Sequence, residues 1–194
     1  MRLLVVRHGE TTWNKERRLQ GHSDTDLNET GIYQANQVAH GLKDTDITFA
    51  FSSDLKRARD TASIICQKQE NQDLNILTDE RLREFHFGRH EGMPIKPEII
   101  ARIKAPNQHD DPTMETFCQV KERVADFLAT LHKKVHAHAT VLVATHGGIL
   151  RVLLNISNKE WEKAITNCAV LEFTICTNGI LTFRSELNLN KNNF

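Results

Sequence analysis

The chain has 194 residues, with 25 Lys plus Arg balanced by 25 Asp plus Glu and 39% hydrophobic content. That length suits one domain with enough chain to bury a substantial core. Zero formal net charge lacks the basic surplus expected on the binding face of a nucleic-acid binder.

The first apolar run, residues 3–6, is too short for a signal-peptide core or a membrane span, and it reads as a strand buried on both faces of a parallel sheet. Asn28-Glu29-Thr30-Gly31 opens a helical pattern through Ile32, Ala35, Val38, Ala39 and Leu42. A second strand is predicted over 47–51. A helix follows over 55–69, with Ala58, Ala62, Ile65 and Cys66 on one face. Residues 74–77 form a weaker strand. From Pro94 to Pro112 the regular period is lost, and an irregular excursion with about one helical turn is expected. A long amphipathic helix over 115–135 precedes a buried strand over 141–144. Helices are predicted over 147–154 and around 159–165. Residues 169–176 and 181–184 read as strands joined at Asn178-Gly179, a hairpin-type turn.

No repeat, low-complexity tract or linker divides the chain, which reads as a single domain over 1–194 with a short cap-like excursion at 94–112. Alternating strands and helices predict a three-layer α/β/α sandwich around a mostly parallel sheet. The four cysteines, Cys66, Cys118, Cys168 and Cys176, lie far apart with no CxxC pair. With no secretory signal, that spacing predicts reduced, buried thiols in a cytoplasmic protein.

Ligands of such sheets gather beyond the carboxyl ends of the strands. After the first strand stand Arg7-His8-Gly9-Glu10-Thr11, after the second Ser52-Ser53-Asp54-Leu55-Lys56-Arg57, and after the strand at 141 Thr145-His146-Gly147-Gly148. Two histidines and two arginines are thus predicted to converge at one sheet edge. Arginine pairs bidentately with phosphate oxygens, and imidazole can attack to form a covalent intermediate. A lone histidine near a strand end is more often structural, and Arg57 beside Lys56 and Arg59 would alone read as a solvated face. A zinc site on His8 and His146 lacks a completing acidic or cysteine motif. The phosphoryl-transfer reading rests on the joint placement.

The sequence resembles the histidine phosphatase superfamily, in its phosphoglycerate mutase-like branch. The resemblance is carried by residues 7–14 (Arg-His-Gly-Glu-Thr-Thr-Trp-Asn), Arg18-Leu19-Gln20-Gly21, Ser53-Asp54-Leu55-Lys56-Arg57-Ala58, Leu82-Arg83-Glu84 and Thr145-His146-Gly147-Gly148, in that order. It implies that His8 becomes phosphohistidine, and that Arg7, Arg57 and His146 hold the phosphoryl oxygens. Asn14, Gly9, Gln20, Gly21 and Gly147 join the phosphate-binding set. Glu84 is implied as the acid that protonates the departing ester oxygen and then as base for the hydrolytic water. The residues alone do not single it out, because Asp79, Glu80 and Glu91 are close rivals. Neutral His8 must attack, so a backbone carbonyl is expected to fix its tautomer.

Departures from the family pattern fall at the substrate mouth. Gly88-Arg89-His90-Glu91-Gly92 lacks a common aromatic residue, and Met114-Glu115-Thr116 stands where many relatives have Gly-Glu-Ser. Glu115 reads as a substrate contact or an early-helix acid. His86, His90 and His109 read as mouth-lining residues or as scattered surface histidines. Cofactor-dependent mutases carry a much longer insertion than 94–112, whose basic residues are Lys96, Arg102 and Lys104. The resemblance therefore implies a phosphoric monoester hydrolase of the histidine acid phosphatase type, needing no metal or cofactor. Its expected partner is a small-molecule phosphate ester, with no nucleic acid and no membrane. Its closest look is to α-ribazole and broad-specificity phosphatases. The alternatives are phosphoglycerate mutase-type transfer and fructose-2,6-bisphosphatase-like activity. A degenerate, non-catalytic phosphoprotein binder is the competing class, and a homodimer is left open.

Overall fold

In the first strand, β1 (Arg2–Arg7), Leu3 and Val5 join one buried cluster and Leu4 and Val6 the other, none more than 1% exposed. Pleating sends successive side chains to opposite faces, so a run that is apolar throughout needs cover on both. The computed structural model describes residues 1–69, 74–104 and 111–189. Its sheet adds β2 (Phe49–Ser52), β3 (Ile76–Thr78), β4 (Thr140–Thr145), β5 (Val170–Ile175) and β6 (Leu181–Leu187), in the order β3-β2-β4-β1-β5-β6. The first four strands across the sheet run parallel, while β5 and β6 form an antiparallel edge.

The helices are α1 (Thr12–Lys15), α2 (Glu29–Gly41), α3 (Lys56–Cys66), α4 (Pro97–Lys104), α5 (Phe117–Lys134) and α6 (Gly147–Ile156). Ala35, Val38 and Ala39 of α2 and Ala62 and Ile65 of α3 share the cluster of Leu4 and Val6. Val120, Val124 and Phe127 of α5 and Ile149 and Leu150 of α6 share that of Leu3 and Val5. Two layers of helices thus enclose the mixed sheet, as the alternating pattern predicts.

Register then decides where the loops emerge. β1 pairs with β4 from Arg2↔Thr140 to Arg7↔Thr145, and β2 reaches Ser52↔Ala144 on the same strand. The His8 N–H donates to the Thr145 carbonyl and the Ser53 N–H to the Ala144 carbonyl, both at 2.9 Å. His8, Ser53 and His146 therefore leave the sheet side by side.

Two elements differ from the sequence reading. Residues 159–165 are not helical. A helix that short is marginal in water without an apolar face to pack, and five of residues 159–164 are exposed. The excursion holds two turns of helix, α4, rather than one. Pro97 opens it, at the position where its fixed φ and missing N–H suit a helix. The excursion's residues 105–110 lie outside the described residues. The short α1 had no periodic signal; Thr11 and Asn14 form a capping box around it.

Candidate active site

His8 is 3% exposed, and its Nδ1 lies 2.7 Å from the Gly9 carbonyl. A carbonyl only accepts, so Nδ1 carries the hydrogen and Nε2 keeps its lone pair. Among the described residues Nε2 has no hydrogen-bond partner. Burial, and then the charges of Arg57 and Arg7, hold His8 well below the usual imidazole pKa. The ring is therefore neutral near pH 7 and nucleophilic at Nε2. The loop that carries it is packed backbone to backbone. A Cβ on Gly9 would lie 2.5 Å from the Gly31 oxygen, and one on Gly31 only 2.1 Å from the Glu10 oxygen, so the start of α2 fits against this loop only with glycine at both places.

Arg57 is fully buried, and α3 aims its fork at the loop between α1 and α2. Nη1 donates to the Ser23 carbonyl and Nη2 to that of Gly21, each at 2.8 Å. Burial lowers its pKa to about 10, so it stays protonated at neutral pH. Arg7 donates from Nη1 to the Ile165 carbonyl at 2.6 Å. His146 is buried with its ring centroid 5.2 Å from that of His8. Its Nε2 meets Ser53 Oγ at 2.9 Å. With the hydroxyl donating to Nε2, Nδ1 bears the ring hydrogen. Among the described residues four buried side-chain polar atoms lack a hydrogen-bond partner, and three belong here: Arg7 Nε, Arg57 Nε and His146 Nδ1. Unpartnered buried donors are costly. Three around one neutral imidazole, two of them on cations, suit a tetrahedral oxyanion.

Glu84 completes the cluster. Its carboxyl oxygens accept the Gly148 N–H at 3.0 Å and the Phe85 N–H at 2.9 Å. The rivals have other work. Asp79 is tied to Arg81, and Glu80 has its side chain 76% exposed. Glu91 accepts from the backbone of His22, Ser23 and Phe87 and from the Ser23 hydroxyl. Burial raises the Glu91 pKa, but those donors outweigh it and hold the group below the usual carboxylate value.

The remaining predicted residues are close by with more structural contacts. The Gly9 N–H is committed to Thr61 Oγ1 at 3.0 Å, so Gly9 serves through the carbonyl that orients His8. Asn14 Oδ1 accepts from Asn167 Nδ2, which also donates to the His8 carbonyl, both at 3.1 Å. Gln20 Oε1 accepts from the Thr11 and Thr25 hydroxyls. Gly21, at φ 56°, offers its carbonyl to Arg57, and a side chain on Gly147 would touch Arg7. Glu115 is not an early-helix acid: Thr116 caps α5, and Glu115 precedes the cap, paired with Arg123. His90 meets the Asp111 carboxylate at 3.0 Å and His86 the Thr113 carbonyl at 2.7 Å; His109 lies outside the described residues. Asn167 and Arg123 were missed in the sequence. Only Arg123 had a signal there, as a charge on the apolar face of α5.

The geometry sets two expectations. His8 and His146 are both held neutral, chiefly by burial, so below pH 6.5 the unfolded chain binds protons that the native one does not. Stability is then fully present above pH 6.5 and declines below it, by up to about 1.4 kcal/mol per pH unit for each histidine. Denaturant unfolding at pH 7.5 and pH 5.5 reads this before the carboxylates titrate. Second, a Cβ on Gly148 would lie 2.1 Å from Glu84 Oε1. Gly148→Ala should therefore displace the carboxylate and lower kcat by about 10²-fold, with phosphate binding retained, as read by steady-state kinetics and phosphate titration.

Among the described residues no group of three or more His, Cys, Asp and Glu side chains could hold a metal ion, and no helix is long and apolar enough to cross a membrane. A separate surface cleft of about 450 Å³, bordered by Phe117, Arg151, Asn155 and Trp161, shares no residue with the His8 cluster.

Residues 3–184 match the family model of the histidine phosphatase superfamily (branch 1). The chain is 39% identical over 184 residues to phosphoglycerate mutase-like protein 4 of Arabidopsis thaliana, covering 89% of this chain and 79% of that protein. It is 37% identical over 178 residues to the metal-independent phosphoserine phosphatase of the same plant, covering 87% and 74%. The solved phosphoglycerate mutase of Bacillus anthracis str. Sterne superposes with a TM-score of 0.84 at 27% identity, over 95% of this chain and 92% of that one.

Proposed function

The chain belongs to the histidine phosphatase superfamily, branch 1, and on that premise we propose that it hydrolyses a small phosphate monoester through a phosphohistidine on His8. The observation that carries this reading is the tautomer of His8, fixed by the Gly9 carbonyl, beside three unpartnered buried nitrogens, two of them on arginines. His8 Nε2 attacks phosphorus, and the bond to the alcohol oxygen breaks as Glu84 gives that oxygen a proton. Glu84, now ionised, takes a proton from water as the water attacks phosphohistidine, which restores Nε2 and the acid and releases inorganic phosphate. Arg7, Arg57 and His146 stabilise the equatorial oxygens throughout. Every group in this sequence is a side chain, so no metal is required.

The name of the phosphoserine phosphatase relative makes small hydroxylated phosphate esters the first substrates to try. The four cysteines of this chain are free thiols, although only Cys66 and Cys168 are buried as expected, while Cys118 is half-buried and Cys176 exposed; free thiols favour a cytoplasmic location. A mutase is the second reading, favoured by the two relatives named for that activity. Hydrolysis of an aryl phosphate and of phosphoserine in EDTA tests the proposal. Turnover of either supports it. Inactivity on both, with conversion of 3-phosphoglycerate in the presence of a bisphosphate primer, would favour the mutase instead.

A further inference from the structure

Arg123 is the one cation set among the buried Val120, Val124 and Phe127 of α5, with its side chain 17% exposed. A guanidinium has five N–H donors, and all five are used. Nε donates to Glu115 Oε1 at 2.9 Å. Nη1 donates to the carbonyls of Arg81 and Arg83, both at 2.7 Å, and Nη2 to the Glu84 carbonyl and to Glu115 Oε2, both at 2.9 Å. Glu115 in turn accepts the His86 N–H at 2.9 Å and donates its own N–H to the His86 carbonyl at 2.9 Å.

The segment so held has little order of its own. Residues 80–82 make a single 3-10 turn, and 84–87 have no regular structure. Yet they carry a carboxylate that must stay within about half an ångström of a productive position. Arg123 and Glu115 fasten the backbone on both sides of Glu84, and His22 Nε2 adds a second donor to the Glu84 carbonyl at 2.9 Å. A partly exposed pair formed only for stability would not need three carbonyls of one loop.

We infer that Arg123, braced by Glu115, is a positioning residue that aims the Glu84 carboxyl at the leaving oxygen. This rests on the proposed function, in which Glu84 is the acid and base. Neither residue need touch the phosphoryl group, so their loss should lower kcat and leave KM for the phosphate end nearly unchanged.

The test is a double-mutant cycle on the full chain with an alkyl phosphate such as phosphoserine. Arg123→Lys keeps the charge but cannot reproduce the fork, and Glu115→Gln keeps the shape. Each should lower kcat by about 10²-fold in the wild-type background and by less than about twofold in the Glu84→Gln background. Equal losses in both backgrounds, tracking a lowered Tm, would mean a structural pair and overturn the inference, as would wild-type kcat in both variants. If Arg123→Lys does not fold, Glu115→Gln completes the cycle. Failure of the underlying reading shows separately: Glu84→Gln alone would then keep wild-type kcat, and the clamp would have no residue to act through.

Discussion

His8→Ala should abolish turnover of an aryl phosphate in EDTA, lowering kcat by about 10⁴-fold or more. The substitution removes the unprotonated ring nitrogen, Nε2, that is free to form a bond to phosphorus. It spares what the main chain of His8 does, because the N–H to Thr145 and the carbonyl to Asn167 and Cys168 remain. The variant should therefore fold. It should still gain thermal stability from inorganic phosphate, since Arg7, Arg57 and His146 are intact. Loss of turnover with phosphate binding preserved separates a missing nucleophile from a collapsed site.

Arg57→Met should show the second-largest effect, a loss of about 10³-fold in kcat/KM, for two reasons that different readouts separate. The charge facing the phosphoryl oxygens goes. So do the two donors to the Ser23 and Gly21 carbonyls, and leaving the buried Gly21 carbonyl unpaired costs about 1–3 kcal/mol. Arg57 is also the largest charge holding the His8 pKa down after burial itself. Without it the His8 pKa rises, and the acid limb of the kcat/KM profile should move to higher pH. A pH profile shows that movement, and denaturant unfolding reads the stability loss. An unmoved acid limb would mean that Arg57 does not face His8.

How much of this was legible in the sequence follows from how local each signal is. The apolar runs at 3–6 and 141–144 read as strands buried on both faces, and the residues just after them were expected to meet at one edge. Asn28 announced α2 by its cap, and its side chain does accept the Gly31 N–H at 2.8 Å. The helix expected at 159–165 failed because five of residues 159–164 are exposed, which leaves no apolar face to pack. Glu84 could be named only through the family resemblance, since three nearby acids, Asp79, Glu80 and Glu91, carry the same carboxyl chemistry. What sets it apart is contact with Gly148, 64 positions away, and such contacts leave no mark on a local pattern. The same holds for Asn167, 159 positions from the His8 carbonyl that it holds.

The covalent intermediate is the central claim, and trapping it tests the claim most directly. Wild-type protein mixed with an activated aryl phosphate and quenched in alkali within milliseconds should carry one phosphoryl group, located by mass spectrometry on His8, with a larger amount in Glu84→Gln as hydrolysis slows. Rapid turnover with no phosphoryl group on His8 at any quench time, in either protein, would contradict it and point to direct attack by water.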